Sequence, residues 1–477
     1  MNAIPDDIFF ASIREVNEKL VKKEFSAVEL AKAFCDRLDD IGPRYNALAL
    51  SLRKVAVHDA KDVEGDIKRE RLRGPLQGVP FGAKDLLSFA KYPTTWGAKP
   101  YADQVFDYTA TALKHIQKRG GLLTGKLAMV ELAGGPSYRY PSASLTGPGL
   151  NPWDPMRWSG GSSSGSAIAV AAGLVTYALG SETSGSILTP SAFCGVTGLR
   201  PTYGLVSRHG AMALSWTLDK IGPICRSAED CGLVLEAIAG GDSDDPSSAH
   251  KSFYYTPQFA RDFKDVHVGF APADFDANVD PAARADYAKA LDTIRSLGLQ
   301  LGETKLPEFP YGPVITTIIH SEGSAVFEPL VKSGQVDQLA DQFQIAGLKA
   351  GLEIAAKDYL KAMRIRSLML DSFRDLLSEI DVLIAPTRFA PAPPVSQPLD
   401  RRSNGRTAAA GGLGPLIPAG NLMGLPGLTI PCGFANGLPM GLQLVASPFQ
   451  ENLLLAIGKA FQDRTDFHKR RPPVKLG

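Results

Sequence analysis

The chain has 477 residues, 44% hydrophobic and 21% charged, and Lys plus Arg (51) balances Asp plus Glu (50) to a formal net charge of +1. That balance gives no basic excess for a nucleic-acid partner, and no run of about 18 apolar residues predicts a membrane span. The length suits one large domain or two to three ordinary ones; without a repeat or an inert linker, one large α/β unit is the economical reading.

The segment Met1-Asn2-Ala3-Ile4-Pro5-Asp6-Asp7 shows no basic stretch followed by an apolar run, so no secretory signal is expected. Ser26-Ala27-Val28-Glu29 is a capping box, and Leu30, Phe34 and Leu38 recur behind it at helical spacing. Gly42-Pro43 ends that helix. The charge run Lys68 to Arg73 reads as a solvated face. Gly78-Val79-Pro80-Phe81-Gly82 leads a short apolar strand toward Lys84. Residues 107–131 give a helix, a Gly120-Gly121 break and a strand at Leu122-Leu123, which is an α/β rhythm.

Asn151-Pro152-Trp153-Asp154-Pro155 reads as turn chemistry. Ser164 to Ala172 is small, apolar and helix-favouring, ends at Gly173, and is followed by a β-prone run at Leu174 to Leu179. Glu229 to Ile238 is a helix closed by Gly240-Gly241. Residues 242–265 read as a surface excursion and His267-Val268-Gly269-Phe270 as the returning strand. Ala282 to Leu297 is a helix. Ile315 to Ile380 is largely helical and ends in the strand Val382-Leu383-Ile384-Ala385. Residues 386–420, rich in Pro, Gly, Ala and Arg, form the longest low-structure stretch, either a lid or binding loop or a disordered one.

The five cysteines, Cys35, Cys194, Cys225, Cys231 and Cys432, are odd in number and include no CxxC. That pattern fits buried thiols in a reducing compartment, so a cytoplasmic protein is expected. The seven histidines, His209 and His468 among them, show no paired ligand spacing, and no metal or other cofactor is expected.

Chemistry concentrates in two serine loops and a distant lysine. The loops are Gly160-Gly161-Ser162-Ser163-Ser164-Gly165-Ser166 and Ser181-Glu182-Thr183-Ser184-Gly185-Ser186; the lysine is Lys84. A glycine-rich loop at a helix start favours anions, yet the Gly-Lys-Ser/Thr of a phosphate loop is missing. Gly161-Ser162-Ser163-Ser164-Gly165 is literally GxSxG, but a nucleophile elbow needs a strand before it and a late histidine after an acid. The remaining reading joins both serine loops to Lys84.

Those loops, with Pro190, Phe193-Cys194-Gly195 and Gly198-Leu199-Arg200-Pro201-Thr202, resemble the signature of the amidase signature family. The resemblance extends to Gly78–Asp85, Gly125-Lys126 with Glu131, and Asp219-Lys220-Ile221-Gly222-Pro223. It continues through Asn421-Leu422-Met423-Gly424-Leu425-Pro426 and Gly437-Leu438-Pro439-Met440-Gly441-Leu442-Gln443, which resemble the family's C-terminal core strands. About residues 10–465 are covered.

The resemblance implies an α/β fold: a single large domain, 1–477, with a central mixed twisted sheet covered by helices on both faces. Residues 1–70 would be N-terminal helices, 71–240 the catalytic core, and 310–420 a variable region near the substrate. It implies Ser186 as nucleophile, Ser162 as bridging serine after a cis peptide, and Lys84 as base. The N–H groups of Thr183, Ser184, Gly185 and Ser186 would form the oxyanion hole. Lys84 must start neutral, which for an ordinary lysine at pH 7 costs roughly 4–5 kcal/mol, so burial has to lower its pKa. Ser163 and Ser164 would support the loop by hydrogen bonds.

Substrate contacts are expected from Met129, Gly134, Gly135, Tyr138 and Leu188. The segments Met129–Tyr140, Pro310–Phe343 and 386–420, with Tyr140, Phe327 and Phe343, would line the pocket. The expected partner is a small amide, ester or carbamate, and the chain a monomer or homodimer. The function implied is an amidohydrolase acting on non-peptide C–N bonds. The alternatives are an aryl-carbamate urethanase and a glutamine-dependent amidotransferase subunit. Two positions depart from the family. Leu188 stands where many members carry Arg or Lys, notably those that amidate charged tRNA, and Ser184 replaces a glycine.

Overall fold

Ser26 accepts the N–H of Glu29 at 3.1 Å, and the Glu29 carboxylate accepts the N–H of Ser26 at 2.9 Å. This reciprocal cap opens the helix Ala27–Ile41, whose Leu30, Phe34 and Leu38 face the core. A 3₁₀ turn at Gly42–Tyr45 follows. In the computed structural model, residues 4–259, 262–399 and 412–474 are described.

Those residues build an 11-stranded mixed sheet. Its spatial order is Leu48–Ser51, Leu122–Leu127, Pro80–Lys84, Tyr177–Glu182, Lys220–Cys225, Thr197–Arg200, Gly427–Ala435, Leu438–Ala446, Val382–Pro386, His267–Phe270 and Gln300–Glu303. Parallel pairs join Pro80–Lys84 to both of its neighbours, and antiparallel ladders dominate the centre. The central strands are buried along their length, which is why they read as near-continuous apolar runs rather than alternating ones. The helices flank the sheet, and the result is one α/β domain of the expected mixed-sheet type.

Three expectations need correction. The strand after the Ser164–Ala171 helix starts at Tyr177, not Leu174, because Leu174 and Val175 turn back to bond the carbonyl of Ala169. The strand therefore extends to Glu182, so Ser181 and Glu182 belong to the sheet. Asn421–Pro426 is not a strand: it closes the helix Leu416–Leu422 and turns at Gly424 before the strand begins at Gly427. A short strand, Asp154–Trp158, does precede the first serine loop. It folds back on Leu150–Asn151 about a turn in which Asn151 accepts the N–H of Trp153 at 3.0 Å.

Of the 386–420 stretch, residues 400–411 lie outside the described residues. Its N-terminal flank runs along the Asp154–Trp158 strand, with Trp158 N–H bonded to Pro393 O at 2.8 Å and Val395 N–H to Met156 O at 3.0 Å. The five cysteines are buried and unpaired by disulfides. No helix of the described residues is long and apolar enough to cross a membrane.

Candidate active site

The strand Pro80–Lys84 ends under the first serine loop and delivers Lys84 into a fully buried position. Its Nζ donates to Ser162 Oγ at 2.7 Å and to Ser181 Oγ at 2.9 Å. Burial pulls the Lys84 pKa down to about 7, against the pull of Asp219 and Glu182, which favour the charged form. A neutral amine is therefore accessible near neutral pH. The next residue, Asp85, forms a buried ion pair with Lys126 at 2.7 Å and accepts the N–H of Thr95 at 3.0 Å, which fixes the strand end that carries Lys84.

Ser162 follows a cis peptide bond from Gly161, as the resemblance implies. Its carbonyl accepts the N–H of Val130 at 3.1 Å. The helix Ser164–Ala171 is buried on every face, so its small residues are a packing requirement. Gly165 shows this most sharply: a Cβ there would lie 2.4 Å from Ala47 O and 2.5 Å from Ala128 N. Ser163 donates to Ser181 O at 3.2 Å, and Ser164 to Ala128 O at 3.4 Å. Ser163 is buried and engaged, so it does not present a nucleophile of the GxSxG kind.

Ser186 lies at the end of the second loop, with 8% of its surface exposed. Its carbonyl accepts the N–H of Ser163 at 3.2 Å, which pins the second loop beside Ser162. Among the described residues, the N–H groups of Thr183, Ser184, Gly185 and Ser186 donate to no protein acceptor. The two that follow, Ile187 and Leu188, both donate to Glu182 Oε2, at 2.9 and 3.0 Å. One carboxylate thus closes the loop from within. Glu182 also takes Arg200 Nη1 at 2.9 Å and Asn421 Nδ2 at 2.8 Å. Burial alone would raise its pKa; these donors outweigh burial and hold it below the usual carboxylate range. Gly185 has φ +89°, a conformation that L side chains rarely adopt.

Sequence reasoning missed Ser181 as the second partner of Lys84, and it missed Asp219. The Asp219 carboxylate accepts Thr183 Oγ1 at 2.6 Å and the N–H groups of Leu214 and Ser215 at 2.8 and 2.9 Å. Both residues stand inside the signature motifs, but a motif does not say which way a side chain points.

Four of the five expected substrate residues lie within 129–138, a segment joined to the first serine loop through the Val130 N–H and Ser162 O bond. Met129 and Leu188 are buried, and Leu188 reaches the site through its N–H. Gly134 and Gly135 lie in the 131–140 segment, where Tyr138 stacks edge-on to Trp158 at 6.3 Å. Phe327 is a core residue against Trp96, whereas Tyr140 and Phe343 face each other half-exposed. Two carboxylates fasten this segment. Glu131 accepts the N–H groups of Ala340 and Asp341 at 3.0 and 3.1 Å, and Asp341 accepts those of Arg139 and Tyr140 at 2.5 and 2.9 Å.

A mixed sheet that brings a buried lysine and two serine loops together defines an α/β enzyme of the amidase type. A family profile described as Amidase matches residues 29–455, and the chain belongs to this, the amidase signature family. It is 35% identical over 500 aligned positions to a component of the glutamyl-tRNA(Gln) amidotransferase of Carboxydothermus hydrogenoformans, covering 98% of this chain and 100% of that one. Among solved structures it resembles a peptide amidase from Stenotrophomonas maltophilia (TM-score 0.82, 27% identity, 97% and 98% coverage). It also resembles the corresponding glutamyl-tRNA(Gln) amidotransferase component from Thermotoga maritima (TM-score 0.81, 25% identity, both chains covered in full). Leu188 pointed away from such transamidating relatives; the curated similarity runs toward them.

Proposed function

We propose that the chain cleaves the C–N bond of a linear amide through an acyl-enzyme on Ser186, with Ser162 and Lys84 as proton relay. The observation that carries this is the 2.7 Å bond from a buried, pKa-lowered Lys84 to Ser162. Neutral Lys84 draws the proton of Ser162, which takes that of Ser186 as Ser186 Oγ attacks the carbonyl carbon. The N–H groups of residues 183–186 hold the oxyanion. The proton returns through Ser162 to the leaving nitrogen, the C–N bond breaks, and an acceptor attacks the ester on Ser186.

With water as acceptor the chain is an amidohydrolase. The same relay takes esters and carbamates, aryl carbamates included, because each passes through a tetrahedral oxyanion. The variable region, 310–420, shapes access in this reading, supported by the grip of Asp341 on Arg139 and Tyr140.

A second reading is favoured by the full-length identity to the glutamyl-tRNA(Gln) amidotransferase component. In it, glutamine is the amide and its ammonia passes to another site of an assembly. Amine or ammonia release from glutamine, propionamide, benzamide and acetanilide, by wild type and Ser186→Ala, separates the two. Ser186-dependent turnover of the neutral amides ahead of glutamine supports the hydrolase. Glutamine ahead of all others supports the amidotransferase, and turnover unchanged in Ser186→Ala would overturn both.

A further inference from the structure

A cavity of about 180 Å³ opens beside the second serine loop, and Ser181 and Thr183 are part of its lining. Through these two residues it adjoins the second partner of Lys84 and the start of the loop proposed to hold the oxyanion. Its apolar walls come from Leu86, Ala133, Met212, Leu214 and Ile221, most of them in the 205–221 segment. Trp216 keeps 44% exposure, which puts it at the mouth.

The charges around this cavity are committed elsewhere. Arg208 donates through Nε and Nη2 to Asp245 at 3.2 and 3.1 Å, through Nη1 to Trp216 O at 2.5 Å, and to Ser247 Oγ. Lys220 Nζ donates to Leu218 O, and burial drives its pKa well below that of an ordinary lysine. Asp219 accepts three donors from Thr183, Leu214 and Ser215. The remaining carboxylate, Asp244, is exposed. The one other basic lining residue is His209, whose ring packs 5.8 Å from that of Tyr108. A substrate carboxylate entering here would find both the Arg208 and Lys220 heads already engaged and would lose its hydration, which is costly. An uncharged ring meets apolar walls, and an apolar cavity of about 150 Å³ is enough to lodge benzene.

We propose that this cavity is a subsite for an uncharged, ring-sized apolar group of the substrate, seated beside the scissile carbonyl. The proposal rests on the hydrolase reading and names its substrate class as neutral aryl-bearing amides, esters or carbamates. Occupancy bears on Asp219, whose bond to Thr183 Oγ1 at 2.6 Å fixes the start of the oxyanion loop. A seated ring is therefore expected to raise kcat as well as lower KM.

The test uses Ser186→Ala protein, so that binding is read without turnover. Benzyl alcohol, benzoate and benzylammonium are titrated by calorimetry. The expected result is that benzyl alcohol binds at least tenfold more tightly than either charged ring, and that Ala213→Phe, which adds bulk to the lining, weakens it at least tenfold. Equal binding of the three, tighter binding of a charged ring, or binding unchanged by Ala213→Phe would overturn the proposal. In the enzyme with Ser186 intact, Ala213→Phe should lower the kcat/KM ratio of benzamide to propionamide at least tenfold, while an unchanged ratio would also overturn it. Absence of Ser186-dependent turnover of both amides would instead count against the hydrolase reading, leaving the calorimetric result to judge the cavity.

Discussion

Glu182 and Arg200 form an ion pair at 2.9 Å with neither side chain exposed. The pair lies against the second serine loop, because the other Glu182 oxygen accepts the N–H groups of Ile187 and Leu188. Every partner of this carboxylate is a donor. Glu182→Gln keeps the shape but sets an NH₂ group against donors and leaves Arg200 unpaired. Breaking a buried pair in this way costs about 3–5 kcal/mol. We expect a clear fall in Tm and a loss of kcat larger than the change in KM; a variant with both intact would show that the loop is held by other means.

In the proposed relay Lys84 sets the pH dependence of activity. Its pKa lies at about 7, so the neutral base grows in as pH rises through that value. Activity should climb through pH 7 to an alkaline plateau. Lys84→Ala should lower kcat/KM by about 10²–10⁴-fold, the usual worth of a placed acid–base group. Ser181→Ala removes an acceptor that favours the charged amine, so the rise should move to lower pH. A pH–rate profile of the three proteins checks all of this, and a profile falling above pH 6 would contradict it.

Gly185 is held at φ +89°, and a Cβ there would lie 3.1 Å from both Ile417 Cγ2 and Thr189 Oγ1. Gly185→Ala should cost of order 1–3 kcal/mol in the loop. In the proposed mechanism the loop supplies the oxyanion donors, so kcat should drop while the affinity for a non-reacting competitor stays near wild type. Steady-state kinetics and inhibitor binding, measured together, separate these effects.

Glu131 should make stability pH-dependent. Burial lifts its pKa from 4.5 to about 7, against the lowering effect of the Ala340 and Asp341 N–H groups and with the nearby Asp341 charge adding to the rise. Between those values the native chain holds a proton that the unfolded chain has lost. Stability therefore falls as pH rises from about 4.5 to 7 and levels off above. Asp230, also raised to about 7 by burial, adds a similar slope. Glu131→Gln should flatten the Tm–pH curve over this window without abolishing its slope; an unaltered curve would show that Glu131 is ionised throughout.

Much of the fold was legible because local chemistry and burial agree. The Ser26–Glu29 cap, the Pro80–Lys84 strand, the all-small Ser164–Ala171 helix and the Val382–Pro386 strand each carry a local signal that tertiary packing reinforces. The start of the Tyr177–Glu182 strand was not legible, because Leu174 to Thr176 are as β-prone as the strand itself and only the turn back to Ala169 excludes them. Lys84, Ser162 and Ser186 were marked out by residue type and motif. Ser181 and the grip of Glu131 and Asp341 on distant backbone were hidden, since they depend on contacts between segments about 100 to 200 residues apart. The cavity wall was not legible for the same reason: Met212, Leu214 and Trp216 meet Ser181 and Thr183 only once the 205–221 segment folds beside the second serine loop.

The most direct test of the central claim is the site of acylation. The protein is mixed with excess p-nitrophenyl acetate, quenched in acid, and studied by intact mass and peptide mapping. One acetyl group on the peptide carrying Ser186, absent in Ser186→Ala and slower to form in Lys84→Ala and Ser162→Ala, is the predicted result. Acetylation at another residue that persists in Ser186→Ala together with turnover would contradict the account.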